Sequence, residues 1–354
     1  MTMMKAARWY AAKDIRVEDV KIPSPKDNQV KIAVKFTGIC GSDLHEYTSG
    51  PQLIPIDEPY LLNGHQGTTT LGHEFSGVVE EVGKNVKNIK KGDRVTVEPI
   101  FRNPESPFIA SGHYNLSEPL GFVGLTSNGG FAKYTIVEDY MVHKIPESMT
   151  FEQGAIVEPA AVAAYALQQS KMKMGDTVFI AGAGPIGLLT VQVALASGAS
   201  QIFVSDISEN RLKKAKEVGA THTFDARDKD IPQQIRALTG NGADVFIDAA
   251  GVQASFDTGI DSLRNGGTAV LVALFGKKIT HDALNQTLRE LTIIGTAAYR
   301  NIFPEVIALI SSGRLPVEKL VSSVISLDEI VEKGFEKLVN DPSEVKILVD
   351  ISRQ

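Results

Sequence analysis

Four residues in the first 158 positions stand out as candidate metal ligands. Cys40, the chain's single cysteine, lies in Gly38-Ile39-Cys40-Gly41-Ser42, and His73 and Glu74 are adjacent in Leu71-Gly72-His73-Glu74-Phe75. Glu158 stands between Val157 and Pro159 in the otherwise apolar run from Gly154 to Leu167. Thiolate, imidazole and carboxylate are all ligands of zinc. Each residue also has a plainer explanation. A lone cysteine is most often a small buried hydrophobe, and a His-Glu pair is usually solvated or simply hydrogen-bonded. A carboxylate among apolar neighbours is costly unless charge or metal meets it, which sets Glu158 apart. Spacing alone does not assemble the group. Three segments that each point to one zinc carry more weight than any one of them.

A second constellation lies downstream. Asp176-Thr177-Val178-Phe179-Ile180-Ala181 is a nearly continuous apolar run, as expected of a strand buried on both faces. It leads through Gly182-Ala183-Gly184-Pro185-Ile186-Gly187 into a helical pattern ending near Gly198. A second buried strand, Gln201–Asp206, then ends in an acid nineteen residues past the last glycine. GxGxxG alone is weak, but strand, glycine loop, helix and acid-tipped strand together are the dinucleotide-binding pattern. Gly182 allows the tight turn, Gly184 lets backbone approach a pyrophosphate, and Gly187 allows close helix–strand packing. The pyrophosphate would rest on the helix N-terminus, where free N–H groups and the helix dipole favour negative charge. Asp206 would accept from the ribose hydroxyls and repel a 2′-phosphate, favouring NAD over NADP.

The elements that must position these groups fall into two kinds. Residues 5 to about 157 read as short alternating strands, among them Val30–Phe36, Gly77–Val82 and Asp93–Val97, with turns at 82–85 and 90–93: an antiparallel β region. From Gly175 strands alternate with helices: Glu209–Val218 is a charged helix stopped by Gly219, and strands follow at 221–224, 244–248, 268–274 and 291–296. That rhythm predicts a doubly wound parallel sheet. The segment from about 297, ending on Val345–Val349, is expected to complete the first domain. The expected division is residues 1–158, 159–296 and 297–354, with the last part rejoining the first.

At 354 residues two domains are the default. With 43% apolar and 22% charged residues the composition is that of an ordinary globular protein. A net charge of −6 argues against a nucleic-acid or anionic-membrane surface. No window approaches a membrane span, Met1–Lys5 lacks the apolar core of a secretory signal, and one cysteine excludes an intramolecular disulfide. The expected location is the cytoplasm.

Taken in order, Gly38–Tyr47, Leu71–Gly77, Val157–Ala163 and Gly182–Leu188 with Asp206 resemble the zinc-dependent medium-chain alcohol dehydrogenases over essentially the whole chain. Within that family the insertion before Leu71, together with Glu98–Phe101, Tyr114–Leu116, Tyr299–Ile307 and Glu344–Val349, is similar to the 2,3-butanediol (acetoin) dehydrogenase branch. Sorbitol and threonine dehydrogenases are the next cousins. The resemblance implies a mostly β, chaperonin-10-like catalytic domain beside the Rossmann domain. It implies Cys40, His73 and Glu158 as ligands of one zinc, with Glu74 a neighbouring carboxylate that takes the third position in some cousins. Ser42 and His45 match the family's proton relay. Ile186 and Arg211 are implied beside the cofactor, and Val272, Ala273, Leu274, Ala297, Ala298 and Tyr299 along its nicotinamide half. Ala298 stands where polyol dehydrogenases carry arginine, with Arg300 two places on. The implied reaction is hydride transfer between NAD and a small secondary alcohol, diol or acyloin, by a homodimer or homotetramer.

Many family members hold a second, structural zinc with four cysteines. The corresponding positions here are Asn103, Ser106, Ile109 and Ser117, none able to supply a thiolate. That lobe must be held by packing and hydrogen bonds, with His113 within it an ordinary surface histidine, so one zinc per chain is expected. The insertion from about Glu46 to Leu71, with Pro51, Pro55, Pro59 and Gly64, is too irregular for a long element, and His65 within it has no assigned role. A zinc-free quinone reductase on the same fold, and a non-enzymatic nucleotide-binding relative, are the rival readings. The metal-binding set and Asp206 speak against both.

Overall fold

A computed structural model describes residues 2–341 and 343–353. The chain divides into two compact units, one of Met1–Glu158, Phe303–Ser311 and Val321–Gln354, the other of Pro159–Ile302 and Ser312–Leu320.

The first unit begins with β1 (Met3–Ala11), β2 (Asp14–Lys21), β3 (Gln29–Gly38), β4 (Thr69–Thr70), β5 (Glu74–Val82), β6 (Arg94–Val97), β7 (Tyr134–Glu138) and β8 (Val142–Lys144). In β3 the alternation is literal: Val30, Ile32 and Val34 are buried, while Lys31 and Lys35 between and beyond them are only partly covered. β5 lies antiparallel to β3 with Gly38 opposite Glu74. This register matters most for the site, because Cys40 just past the end of β3 and His73 just before β5 therefore share one end of the sheet. A short helix, α1 (Gly41–Ser49), starts directly after Cys40, which is its N-cap. Between α1 and β4 no long element forms.

The second unit is entered along α2 (Val157–Gln169) and holds six parallel strands: β9 (Thr177–Ala181), β10 (Gln201–Asp206), β11 (His222–Asp225), β12 (Ala243–Asp248), β13 (Leu263–Leu271) and β14 (Thr292–Gly295). They lie in the order β11-β10-β9-β12-β13-β14. Val178, Phe179 and Ile180 are fully buried, as a strand covered on both faces requires. The connecting helices include α3 (Pro185–Ala196), α4 (Glu209–Glu217), α5 (Ile231–Thr239) and α6 (Gln253–Ser262). The strand order reverses beside β9, and ligands of such sheets bind at the carboxyl ends of the strands at that reversal.

The chain then returns to the first unit. α7 (Phe303–Ser311) belongs there, and so do β15 (Val321–Ser326) and β16 (Lys346–Asp350), with β16 antiparallel to β3. Residues 297–302 and 312–320 cluster instead with the parallel sheet, where Gln192 Nε2 on α3 donates to Pro316 O at 3.0 Å. β13 also ends at Leu271, three residues before the expected end of that strand. The N–H groups of Val272 and Ala273 share Asp248 O, at 3.0 Å each, and the strand ends there. Among the described residues no helix is long and apolar enough to cross a membrane.

Candidate metal centre and dinucleotide cradle

At the shared end of β3 and β5, ligand atoms of Cys40, His73 and Glu74 all lie within 4.8 Å of one another. His73 is 4% exposed and Glu74 fully buried. Gly38 makes room for the Glu74 carboxylate, since a Cβ there would overlap Oε2. The Glu74 charge is met by a lysine from far along the chain. Lys346 Nζ donates to Oε1 and Oε2 at 2.8 and 2.6 Å and to Ile39 O at 3.0 Å, with both side chains about fully buried. Burial pulls the Lys346 ammonium down, but Glu74 first, then Cys40 and Glu158, hold it above its usual pKa. Glu158 is 6% exposed in the first turn of α2, near enough for its charge to act on Lys346.

His73 shows what the cluster lacks. Its Nδ1 is buried without a well-formed hydrogen bond, 3.5 Å from Asp43 Oδ1, and its Nε2 lies 3.1 Å from Ser42 Oγ. Burial opposes protonation of the ring, yet the Asp43 carboxylate and the Cys40 sulfur outweigh it and hold the imidazole well above its ordinary pKa. Such a concentration of negative charge, with one lysine already committed to Glu74, suits a divalent cation. The donor types (S, N and O) are those zinc takes. The residues present fit the metal.

Asp43 is a functional residue that the sequence reading missed. It is fully buried; Oδ2 accepts from Cys40 N at 2.9 Å and Oδ1 from Gly72 N at 3.3 Å. One carboxylate thus pins both ligand-bearing loops and faces the back of the His73 ring, the carboxylate–histidine arrangement common behind metal-bound imidazoles. The available signal was its place three residues after the cysteine, in the first turn of a helix capped by that cysteine. His45, one turn along α1 from Ser42, is exposed.

In the second unit the glycines of the β9–α3 loop have three different surroundings. Gly182 has φ +94, and a Cβ there would lie 3.0 Å from the Ala249 carbonyl group. A Cβ on Gly187 would overlap Gly182 O. Around Gly184 nothing lies within 4 Å of the Cβ position, so space is open beside the N-cap of α3, where Pro185 begins the helix and no side chain caps it. Uncapped N–H groups facing open space are an anion site in waiting, which fits a pyrophosphate. Asp206 Oδ2 accepts from Ala183 N at 2.7 Å and Oδ1 from Ser208 N at 2.8 Å, tying the tip of β10 to the loop. Arg211 is in the first turn of α4, after the Ser208 cap. Val272 and Ala273 are half-buried and Leu274 is 81% exposed. Ala297 and Ala298 are half-buried, Ala298 with φ +48, and Tyr299 is fully buried. The Arg300 guanidinium lies 5.2 Å from the ring centre of Tyr165.

Comparison with known proteins shows the family of the chain. Residues 26–147 match the alcohol dehydrogenase GroES-like domain, and residues 185–312 the zinc-binding dehydrogenase domain. Over 347 residues the chain is 43% identical to the (R,R)-butanediol dehydrogenase of Bacillus subtilis strain 168, covering 98% of this chain and 99% of that protein. It belongs to the zinc-dependent alcohol dehydrogenase family. The crystal structure of 2R,3R-butanediol dehydrogenase from Bacillus subtilis superposes with a TM-score of 0.93 at 43% identity, covering 98% of this chain and 99% of that one. Human sorbitol dehydrogenase is 36% identical over 326 residues, 90% of this chain and 88% of that protein. The expected fold class, a doubly wound α/β domain with a mostly β, GroES-like domain, is the observed one, and membership makes the protein a zinc- and nicotinamide-dependent oxidoreductase.

Proposed function

We propose that the protein interconverts 2,3-butanediol and acetoin with NAD, using one zinc held by Cys40, His73 and Glu158. The observation that carries the choice of substrate is the near full-length 43% identity to a butanediol dehydrogenase. Bound zinc supplies a Lewis acid that makes a substrate hydroxyl easier to deprotonate, and NAD supplies a hydride acceptor. The chain's own residues do the rest. Asp43 orients His73, and Lys346 offsets Glu74, so that Glu158 rather than Glu74 completes the ligand set. Ser42 Oγ would accept the substrate hydroxyl proton as it gives up its own toward exposed His45, which would release a proton to water. Asp206 accepts from the ribose hydroxyls and disfavours a 2′-phosphate. A homodimer or homotetramer belongs to the same reading and is checked by light scattering.

The sorbitol relatives make a polyol the rival substrate. Against it stands Ala298, which has no donor to offer a long hydroxylated chain where the polyol enzymes have arginine. A substrate hydroxyl buried without a partner costs about 1–3 kcal/mol. The test is kcat/KM for 2,3-butanediol stereoisomers, sorbitol, xylitol, threonine and 2-butanol. Butanediol should lead clearly; a lead for sorbitol or threonine would sink the assignment.

A further inference from the structure

Two strands flank β9 at the point where the sheet order reverses, and each ends in a buried carboxylate. Asp206, at the end of β10, is the one the sequence points to. Asp248, at the end of β12, has no role in the reaction as derived so far, and it is fully buried. Its Oδ1 accepts from Ala250 N at 2.9 Å and Gly251 N at 2.8 Å, and Ser255 Oγ donates to Oδ2 at 3.0 Å. Its main-chain oxygen takes the N–H groups of Val272 and Ala273 and so ends β13. One residue therefore fixes both the loop 249–251 and the first residues beyond β13.

The loop that Asp248 fixes is a wedge with two faces. On one face Gly182 approaches so closely that a Cβ would lie 3.0 Å from the Ala249 carbonyl. On the other, Gly251 has φ +71, and a Cβ on it would lie 3.0 Å from Ala273 Cβ and 3.1 Å from Leu274 O. Loop 249–251 therefore sets the spacing between the glycine loop, which holds phosphates, and the segment 272–274. Asp206 governs the adenosine end separately, through Ala183. We infer that Asp248 is a positioning residue for the nicotinamide half of the dinucleotide, holding loop 249–251 and residues 272–274 at a fixed distance from the glycine loop. It acts through backbone alone, because it is buried and has no surface to offer the cofactor. Burial raises its carboxyl above the usual range, opposed by the N–H groups of Gly251 and Ala250 and the Ser255 hydroxyl.

This inference rests on the dinucleotide reading above, and the experiment separates the two. NADH binding to the zinc-loaded enzyme is measured by fluorescence titration, and ADP-ribose, which lacks nicotinamide, by competition. Asp248→Ala leaves the N–H groups of Ala250 and buried Gly251 without an acceptor, and NADH affinity should fall about tenfold or more while ADP-ribose stays within about twofold. Asp248→Asn keeps an oxygen for both N–H groups and should recover most of the loss. Ser255→Ala, which removes one of the three donors to the Asp248 carboxylate together with the hydroxyl's bonds to Val252, should shift NADH in the same direction by less, and it keeps the test open if Asp248→Ala does not fold. Equal losses for both ligands, or no loss for either, would overturn the positioning role. Wild-type enzyme that binds ADP-ribose and NADH equally well would also overturn it, whereas wild type that binds neither would remove the dinucleotide reading itself and this inference with it.

Discussion

At the joined ends of β3 and β5, half-buried Cys40 meets buried Asp43, His73 and Glu74, and Lys346 pairs with Glu74. At the end of β9 the opposite holds: Gly182, Gly184 and Gly187 leave the backbone bare, and around Gly184 nothing fills the space where a side chain would be. The first region is unfinished because it holds charge without enough countercharge. The second is unfinished because it holds N–H groups without acceptors. A cation answers one and a polyanion the other, so the two should fail independently and in different ways.

The widest separation should come from Cys40→Ser. Removing the one thiolate should strip the metal and lower turnover about a thousandfold or more, since several kcal/mol of transition-state stabilisation go with it. NADH affinity should be unchanged, because Cys40 and the β9–α3 loop belong to different compact units. Elemental analysis and fluorescence titration on the same sample decide this. A variant that keeps its zinc would remove Cys40 from the ligand set.

The cradle can be broken in two ways that side-chain reasoning distinguishes. Gly187→Ala places a methyl on the Gly182 carbonyl oxygen and should cost about 1–3 kcal/mol of stability. Gly184→Ala meets no protein atom, so melting should be unchanged, yet the methyl should stand where the pyrophosphate approaches and weaken NADH about tenfold. Zinc content should stay at the wild-type value in both. A Gly184→Ala protein with normal NADH affinity would show that the open space is not the phosphate site.

Asp206→Ser should act on choice of cofactor more than on affinity for either. Loss of the carboxylate removes repulsion of a 2′-phosphate and should narrow the NAD preference by about tenfold in kcat/KM. It also frees Ala183 N, held at 2.7 Å, so some loss with NAD itself is expected. Equal use of NAD and NADP by the unaltered enzyme would contradict the assignment.

The same contrast explains what could be read from sequence. The cradle was legible because strand, loop, helix and acid are contiguous, and each glycine has a local steric reason. Half of the metal centre was legible, since Cys40 and His73-Glu74 are unusual residue types in short motifs. Lys346 was not: it pairs with Glu74 across 272 positions, and a lysine at the head of a short apolar strand gives no sign of which partner its charge will meet. Asp43 reads as an ordinary first-turn acid until the fold turns it toward His73. The end of β13 was placed three residues late because Val272 and Ala273 are apolar enough to continue a strand; only Asp248 O, on the neighbouring strand, shows where the ladder stops.

The smallest effect should come from the lobe that has none of the four cysteines of its zinc-bearing relatives. Asn103 Nδ2 donates to Glu118 O at 2.6 Å and its Oδ1 accepts from Glu105 N at 3.1 Å. Ser106 Oγ accepts from Phe108 N, and buried Ser117 offers Oγ to Asn103 N at 3.4 Å. Below them Glu98, 3% exposed, binds Tyr114 OH at 2.6 Å and His143 Nε2 at 2.9 Å, while Arg102 lies over the Tyr114 ring. Three of the four cysteine positions are thus occupied by groups that hydrogen-bond within the lobe. Distributed bonds of this kind are worth about 1 kcal/mol each, so Asn103→Ala should lower stability by roughly that amount and no more. A metal-held lobe would behave otherwise: loss of one ligand would release an ion and collapse the loop. Zinc analysis of wild type should therefore give one equivalent per chain, and Asn103→Ala should keep that one with its turnover. Two tightly held equivalents in wild type, or loss of zinc in the variant, would show that this lobe still carries a metal.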